Sequence, residues 1–196
     1  MVKSASVGSF QSFLRAHGLM FACAESCTGG LLSREMTALP GSSEVFWGGI
    51  VSYADQAKVR LLGVDAGLLS AHGAVSGEVA HAMAQGVLEV SHVPLAVGIT
   101  GVAGPGGGSE EKPVGTVWFG LGSVRDSRAG VVAVRHRFDG TRSAVQRQSA
   151  QWARILAQVW WEAAMDLDSL RSLTDNHSKP FVEASDPPLF FPFGPL

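Results

Sequence analysis

Residues 94–100 read Pro-Leu-Ala-Val-Gly-Ile-Thr, a run with no charged side chain and with apolar groups at nearly every position. Successive side chains of a strand point to opposite faces of a sheet, so such a strand has no face to offer to water. It must be covered on both sides, and helices packed on both faces of a sheet supply that cover. A shorter run of the same character spans residues 19–24.

The rest of the chain supplies helical patterns that can meet this requirement. Phe10, Phe13 and Leu14 recur at helical spacing and predict a first helix that stops near Gly18. After the strand at 19–24, Thr28-Gly29-Gly30 opens a second helical pattern through Leu31, Leu32, Met36 and Leu39, which Pro40-Gly41 ends. Residues 45–53 are rich in strand formers, and Gly48-Gly49 within them suggests a bulge. Residues 55–63 predict a short helix. Ser76 caps another, with Val79, Met83, Val87 and Val90 as its apolar stripe. Two closely spaced strands at 114–121 and 130–138 imply an antiparallel hairpin, and Thr141 starts a last helix carrying Val145, Trp152, Ile155, Leu156 and Val159. The expected order is α-β-α-β-α-α-β-β-β-α. It describes an α/β fold: a single three-layer α/β/α domain on a mixed, mainly parallel sheet of about five strands. The domain is expected over residues 1–165. Residues 166–196 differ in composition, with Asp186-Pro187-Pro188 and Phe190-Phe191-Pro192-Phe193, and read as a Pro/Phe-rich tail without regular structure.

Composition removes several functional classes. A chain of 196 residues with 46% hydrophobic and 16% charged residues folds as a compact domain. A formal net charge of −2 gives no general basic field, so sequence-independent nucleic-acid binding lacks electrostatic support. No run reaches the roughly 18 apolar residues of a membrane span, and the first residues lack the apolar stretch of a signal peptide. Cys23 and Cys27 form neither a CxxC pair nor half of a zinc site. Two free thiols suit a reducing cytoplasm, and no metal ligand cluster is visible.

Four stretches carry side chains able to do chemistry. The first is Ala24-Glu25-Ser26-Cys27-Thr28-Gly29-Gly30, where a buried strand turns into a helix. Unpaired N–H groups of a first helical turn can hold an oxyanion, and the positive helix end favours developing negative charge. Thr28, Gly29 and Gly30 would supply those donors and let a substrate approach the backbone. A helix cap followed by a tight turn uses the same residue types, so the motif alone leaves both readings open.

A nucleophilic serine needs a base, and none of the six histidines stands in a context that marks it as a triad member. Ser52-Tyr53-Ala54-Asp55-Gln56-Ala57-Lys58 directly follows the second strand. If the first two strands are neighbours, their loops open at one sheet edge and Lys58 reaches Ser26. A lysine acts as base only where its ammonium is desolvated. Tyr53, the one tyrosine of the chain, could relay or position a proton. The plainer alternative is a solvated lysine and a tyrosine that closes a strand.

The third stretch is the glycine-rich loop from Gly98-Ile99-Thr100-Gly101 to Gly108. Its N–H groups could cradle a phosphate, with Thr100, Gly104, Gly106 and Gly107 as candidates. It is neither a Walker A loop nor a dinucleotide fingerprint, and a plain connector fits as well. The fourth is Phe138-Asp139-Gly140-Thr141-Arg142. The helix dipole opposes an arginine at a helix start, so Arg142 wants an anion: a bound phosphate or carboxylate, or an ion pair with Asp139 or Glu111.

Together these stretches resemble the C-terminal domain of the CinA family, some of whose members are stand-alone nicotinamide-nucleotide amidohydrolases. The runs that carry the resemblance are AESCTGG (24–30), ALPGSSEVFWGGIVSYADQAKVRLLGV (38–64), HGAVSGEVAHAMAQGV (72–87), GITGVAGPGGGSEEKPVGTVWFGLG (98–122) and HRFDGTRSAVQRQSA (136–150). They span about residues 8–165. The resemblance implies hydrolysis of nicotinamide mononucleotide to nicotinate mononucleotide and ammonia, without cofactor or metal. It implies Ser26 as nucleophile and Lys58 as base, with Tyr53, Thr100 and Arg142 at the active site. No counterpart of the N-terminal molybdopterin-binding-like domain of full-length CinA proteins is expected, and the tail has none in the family. The expected partner is a small molecule, with no nucleic acid and no membrane, in a homo-oligomer. The competing reading is a nucleotide-sensing or interaction module of the same fold without hydrolytic activity.

Overall fold

The computed structural model describes residues 6–125 and 128–163. Its elements run in the order α1 (Val7–Ala16), β1 (Phe21–Glu25), α2 (Leu31–Met36), β2 (Phe46–Val51), α3 (Asp55–Leu62), α4 (Ala66–His72), α5 (Gly77–Ser91), β3 (Leu95–Gly101), β4 (Thr116–Arg125), β5 (Arg128–Arg137) and α6 (Arg142–Glu162). The strands form one sheet in the order β2-β1-β3-β4-β5. β1 pairs in parallel with β2 and β3, and β4 pairs antiparallel with both β3 and β5. Four strands therefore point one way and β4 alone opposes them, the mixed and mainly parallel sheet expected.

The run at 94–100 meets its requirement for double cover. Val97 and Ile99 lie in a cluster with Phe10, Leu32, Val145 and Leu156, from α1, α2 and α6. Ala96, from the other face of the same strand, lies with Leu62, Leu69, Val79, Met83 and Val87, from α3, α4 and α5. Three layers result. Two glycines set how closely α5 can lie on the sheet. A Cβ on Gly98 would come within 2.7 Å of the Ala80 carbonyl oxygen, and one on Gly120 within 2.0 Å.

Most expected elements appear close to their expected bounds, capped as anticipated: the Ser76 side chain accepts from Val79 N, and that of Thr141 from Ala144 N. The bulge also appears, because Phe21 pairs with Phe46 but Ala22 pairs with Gly48, which leaves Trp47 as the extra residue. The expected order lacked α4. This helix has seven residues, buries only Leu69 and is capped by the Asp65 side chain, so it is too short to show a stripe. The Pro/Phe-rich tail at 166–196 lies outside the described residues. Among the described residues, no helix is long and apolar enough to cross a membrane.

Candidate active site

The C-terminal ends of the parallel strands open into one cavity of about 190 Å³, lined by Ser26, Cys27, Tyr53, Asp55, Lys58, Ala74, Val75, Thr100, Gly101, Ala103 and Arg142. It gathers side chains from four of the stretches singled out above. Parallel β1 and β2 do bring the loop after each strand to one edge, so Ser26 and Lys58 share a wall of the cavity.

Ser26 follows the last residue of β1 and is held by its own backbone, whose N–H donates to Ile99 O at 2.9 Å. Lys58 sits on the first turns of α3 with its side chain only 1% exposed. Its Nζ donates to Tyr53 O at 3.2 Å and to Asp55 Oδ1 at 3.3 Å. An ammonium has three N–H groups and a neutral amine two plus a lone pair. The two oxygens leave one tetrahedral position of Nζ uncommitted.

Of the oxyanion donors expected at Thr28, Gly29 and Gly30, the two glycines need correction. Gly29 N donates to Ser26 O at 3.1 Å, closing the turn. Gly30 N donates to Glu25 Oε2, as does Leu32 N, and Ser33 N and Oγ both donate to Glu25 Oε1. The cause is a fully buried carboxylate, pointed off β1 at the start of α2, that needs these donors for itself. The Thr28 N–H makes no such bond among the described residues, and Gln146 Nε2 holds the Cys27 carbonyl at 2.9 Å. A trans peptide points C=O and the next N–H in opposite directions, so Gln146 turns the Thr28 N–H away from α6. Gly29 and Gly30 adopt positive φ of 61° and 95°, as the tight turn requires.

Tyr53 reaches Lys58 through its carbonyl. Its hydroxyl instead accepts from Arg142 Nη2 at 2.9 Å, while Arg142 Nη1 donates to Gly104 O at 3.0 Å. Among the described residues Arg142 makes no ion pair with Asp139 or Glu111. Thr100 Oγ1 donates to Ala74 O at 2.7 Å and ties β3 to the segment before α5. Gly104 contributes a carbonyl to Arg142, and Gly106 and Gly107 do not line the cavity. The glycine loop reaches it at Thr100, Gly101 and Ala103.

Both thiols are free and buried. Burial, reinforced by the Glu25 charge, raises Cys23 well above its ordinary value. Burial chiefly pushes Cys27 up to about 12. Cys27 therefore lines the cavity as a neutral thiol. Among the described residues no group of three or more His, Cys, Asp or Glu side chains could hold a metal.

Three partners were not singled out from the sequence. Asp55 stands three residues before Lys58, a helical spacing that signals a pair. Glu25 signals itself as a carboxylate inside an otherwise apolar strand. Gln146 lies 119 residues from Cys27 and carries no local signal.

Fold and cavity define an α/β/α domain that seats a buried lysine and a strand-end serine at the C-terminal ends of the parallel strands of a mixed sheet. Residues 4–158 match the family model of the CinA C-terminal domain, and the chain belongs to that family. A nicotinamide-nucleotide amidohydrolase PncC of Enterobacter agglomerans is 49% identical over 137 residues, covering 70% of this chain and 82% of the relative. A CinA-like protein of Chlorobaculum tepidum is 54% identical over 125 residues, covering 63% of this chain but 30% of the relative. The chain spans about a third of the length of the CinA-like relatives, between 30% and 35%. A solved CinA-superfamily protein from Klebsiella pneumoniae 700603 superposes with a TM-score of 0.73 at 32% identity, over 79% of this chain and 94% of that one.

Proposed function

We propose that this chain hydrolyses the carboxamide of nicotinamide mononucleotide, releasing nicotinate mononucleotide and ammonia through a serine ester. The observation that carries the reading is the placement of the Lys58 amine: almost wholly buried, anchored by Tyr53 O and Asp55, and on the same small cavity as Ser26. The amidohydrolase named above, 49% identical, supports the choice of an amide.

In its neutral form Lys58 uses both N–H groups on Tyr53 O and Asp55 Oδ1 and keeps its lone pair for the Ser26 proton. Ser26 Oγ bonds the carboxamide carbon, and the carbonyl electron pair moves onto oxygen. The N–H groups of Cys27 and Thr28 receive that oxyanion. Removing one such donor costs about 10²–10³ in rate, so the turn matters as much as the base. The C–N bond then breaks as Lys58 returns its proton to the departing nitrogen. Water attacks the ester with Lys58 again as base, and Ser26 regains its proton. Arg142, half engaged by Tyr53 and Gly104, and the Thr100 side of the cavity receive the phosphoribose. The buried free thiols fit a reducing cytoplasm.

Ammonia release from the mononucleotide tests this directly. Ser26→Ala and Lys58→Met should each lose at least about 10³-fold in kcat with circular dichroism unchanged. Ser26→Ala retaining parental activity would remove the nucleophile and with it the proposal.

A further inference from the structure

We propose that Ser52 belongs to the reacting centre: once substrate fills the cavity, its hydroxyl turns to bridge Ser26 Oγ and Lys58 Nζ and carries the proton between them. The inference rests on the Ser–Lys reading above and adds the path the proton takes.

The strand register places the three groups together. Glu25 pairs with Val51 across parallel β1 and β2, and Ser52 N donates to Glu25 O at 2.8 Å. Ser26 and Ser52 thus stand side by side, each one residue beyond the end of its strand. Side-chain alternation puts them on the same face. Glu25 turns toward Ser33 of α2, and Val51 lies on that side too, its Cγ2 3.3 Å from where a Cβ on Gly30 would stand. Ala24 and Ile50 pack on the opposite side, against the cluster of α3, α4 and α5. The next residues, Ser26 and Ser52, therefore face α3, the helix that carries Lys58. Lys58 Nζ closes on this row at Tyr53 O, the carbonyl of the residue after Ser52.

Ser52 is fully buried, and its Oγ has no hydrogen-bond partner among the described residues. In the free chain it therefore bonds neither Ser26 nor Lys58 and is left to be engaged when substrate binds. A buried polar group without a partner is uncommon and asks for a reason. Packing offers none, since alanine would fill nearly the same space without a hydroxyl to desolvate. A hydroxyl both donates and accepts, which is what a bridge between a hydroxyl that gives a proton and an amine that takes one needs. As Ser26 Oγ bonds the carboxamide carbon, its proton passes to Ser52 Oγ while the Ser52 proton passes to Lys58 Nζ. When the C–N bond breaks, a proton returns from Lys58 through Ser52 to the departing nitrogen. Ser52 ends each step as it began.

The test is steady-state deamidation of nicotinamide mononucleotide together with urea unfolding, for Ser52→Ala, Ser52→Thr and Ser26→Ala. Ser52→Ala should lower kcat by about 10–10²-fold with KM unchanged, yet unfold at the same or higher urea concentration than the parent. Ser52→Thr, which keeps the hydroxyl, should recover most of that loss. A Ser52→Ala kcat within about twofold of the parent, with Ser26→Ala inactive, overturns the bridge and leaves the Ser–Lys reading standing. Loss of kcat with a matching loss of stability assigns Ser52 to packing and also overturns it. An active Ser26→Ala sinks the underlying reading instead.

Discussion

Replacing Glu25 by glutamine removes one oxygen from a carboxylate that four N–H and O–H donors surround, with the Cys23 thiol as a weak fifth at 3.7 Å. Gly30 N and Leu32 N reach Oε2 at 3.1 Å each, and Ser33 N and Oγ reach Oε1 at 2.8 and 2.6 Å. The new amide nitrogen must face one of these pairs. On the Ser33 side the hydroxyl can turn and accept, leaving a single backbone N–H orphaned at about 1–3 kcal/mol. The two bonds on the other side survive but lose charge assistance, at about 1 kcal/mol each. A neutral amide is easier to bury than a carboxylate, which offsets part of the sum. The net destabilisation should be about 2–4 kcal/mol, or roughly 5–15 °C in Tm for a domain of this size. Urea unfolding followed by tryptophan fluorescence measures it. A loss below about 1 kcal/mol would mean that desolvation of the charge consumes what its hydrogen bonds provide, and that Glu25 does not hold the turn beside Ser26.

Other outcomes follow from the same geometry. Arg142→Ala should raise KM for the mononucleotide about tenfold or more while barely changing turnover of free nicotinamide, and equal loss on both substrates would refute a phosphate role. The Cys27 thiol, at about 12 in the folded chain against an ordinary 9.0, ties stability to alkaline pH. Between those values the unfolded state has lost a proton that the folded state keeps, so stability falls as pH rises, by about 1.4 kcal/mol per pH unit. Cys27→Ala should make the slope shallower by that amount in unfolding titrations from pH 9 to 10.5, and an unchanged slope would show the thiol is not the cause. Gly120→Ala would force a methyl to 2.0 Å from the Ala80 carbonyl oxygen. Separating α5 from β4 should cost about 3 kcal/mol or more, read from the urea midpoint, and a neutral result would contradict the close approach.

The chemistry was legible unevenly. The Ser26 turn and the Lys58 segment could be singled out because each follows an apolar strand, and a parallel sheet exposes all such junctions at one edge. The loss of Gly30 as an oxyanion donor could not, because Glu25 reads as a buried carboxylate in the strand, while the N–H groups it takes are set only when β1 turns it toward α2. The glycine loop invited a phosphate nest, yet Gly106 and Gly107 stay off the cavity. Composition records backbone freedom without direction. Arg142 sat in a position that asked for an anion, and the fold shows it already shared between Tyr53 and Gly104.

By itself the sequence determined the layers. Apolar residues at every position, at alternate positions or at helical spacing record how many faces of a segment are buried, and that is a local property of the chain. Which polar atoms meet was decided only by the tertiary structure. The strand order β2-β1-β3 sets Ser52 beside Ser26 and opens Ser26 and Lys58 onto one cavity, and α6 brings Gln146 to Cys27 across 119 residues. Hydrogen bonds act over about 3 Å, and no local pattern carries the distances between elements at that precision.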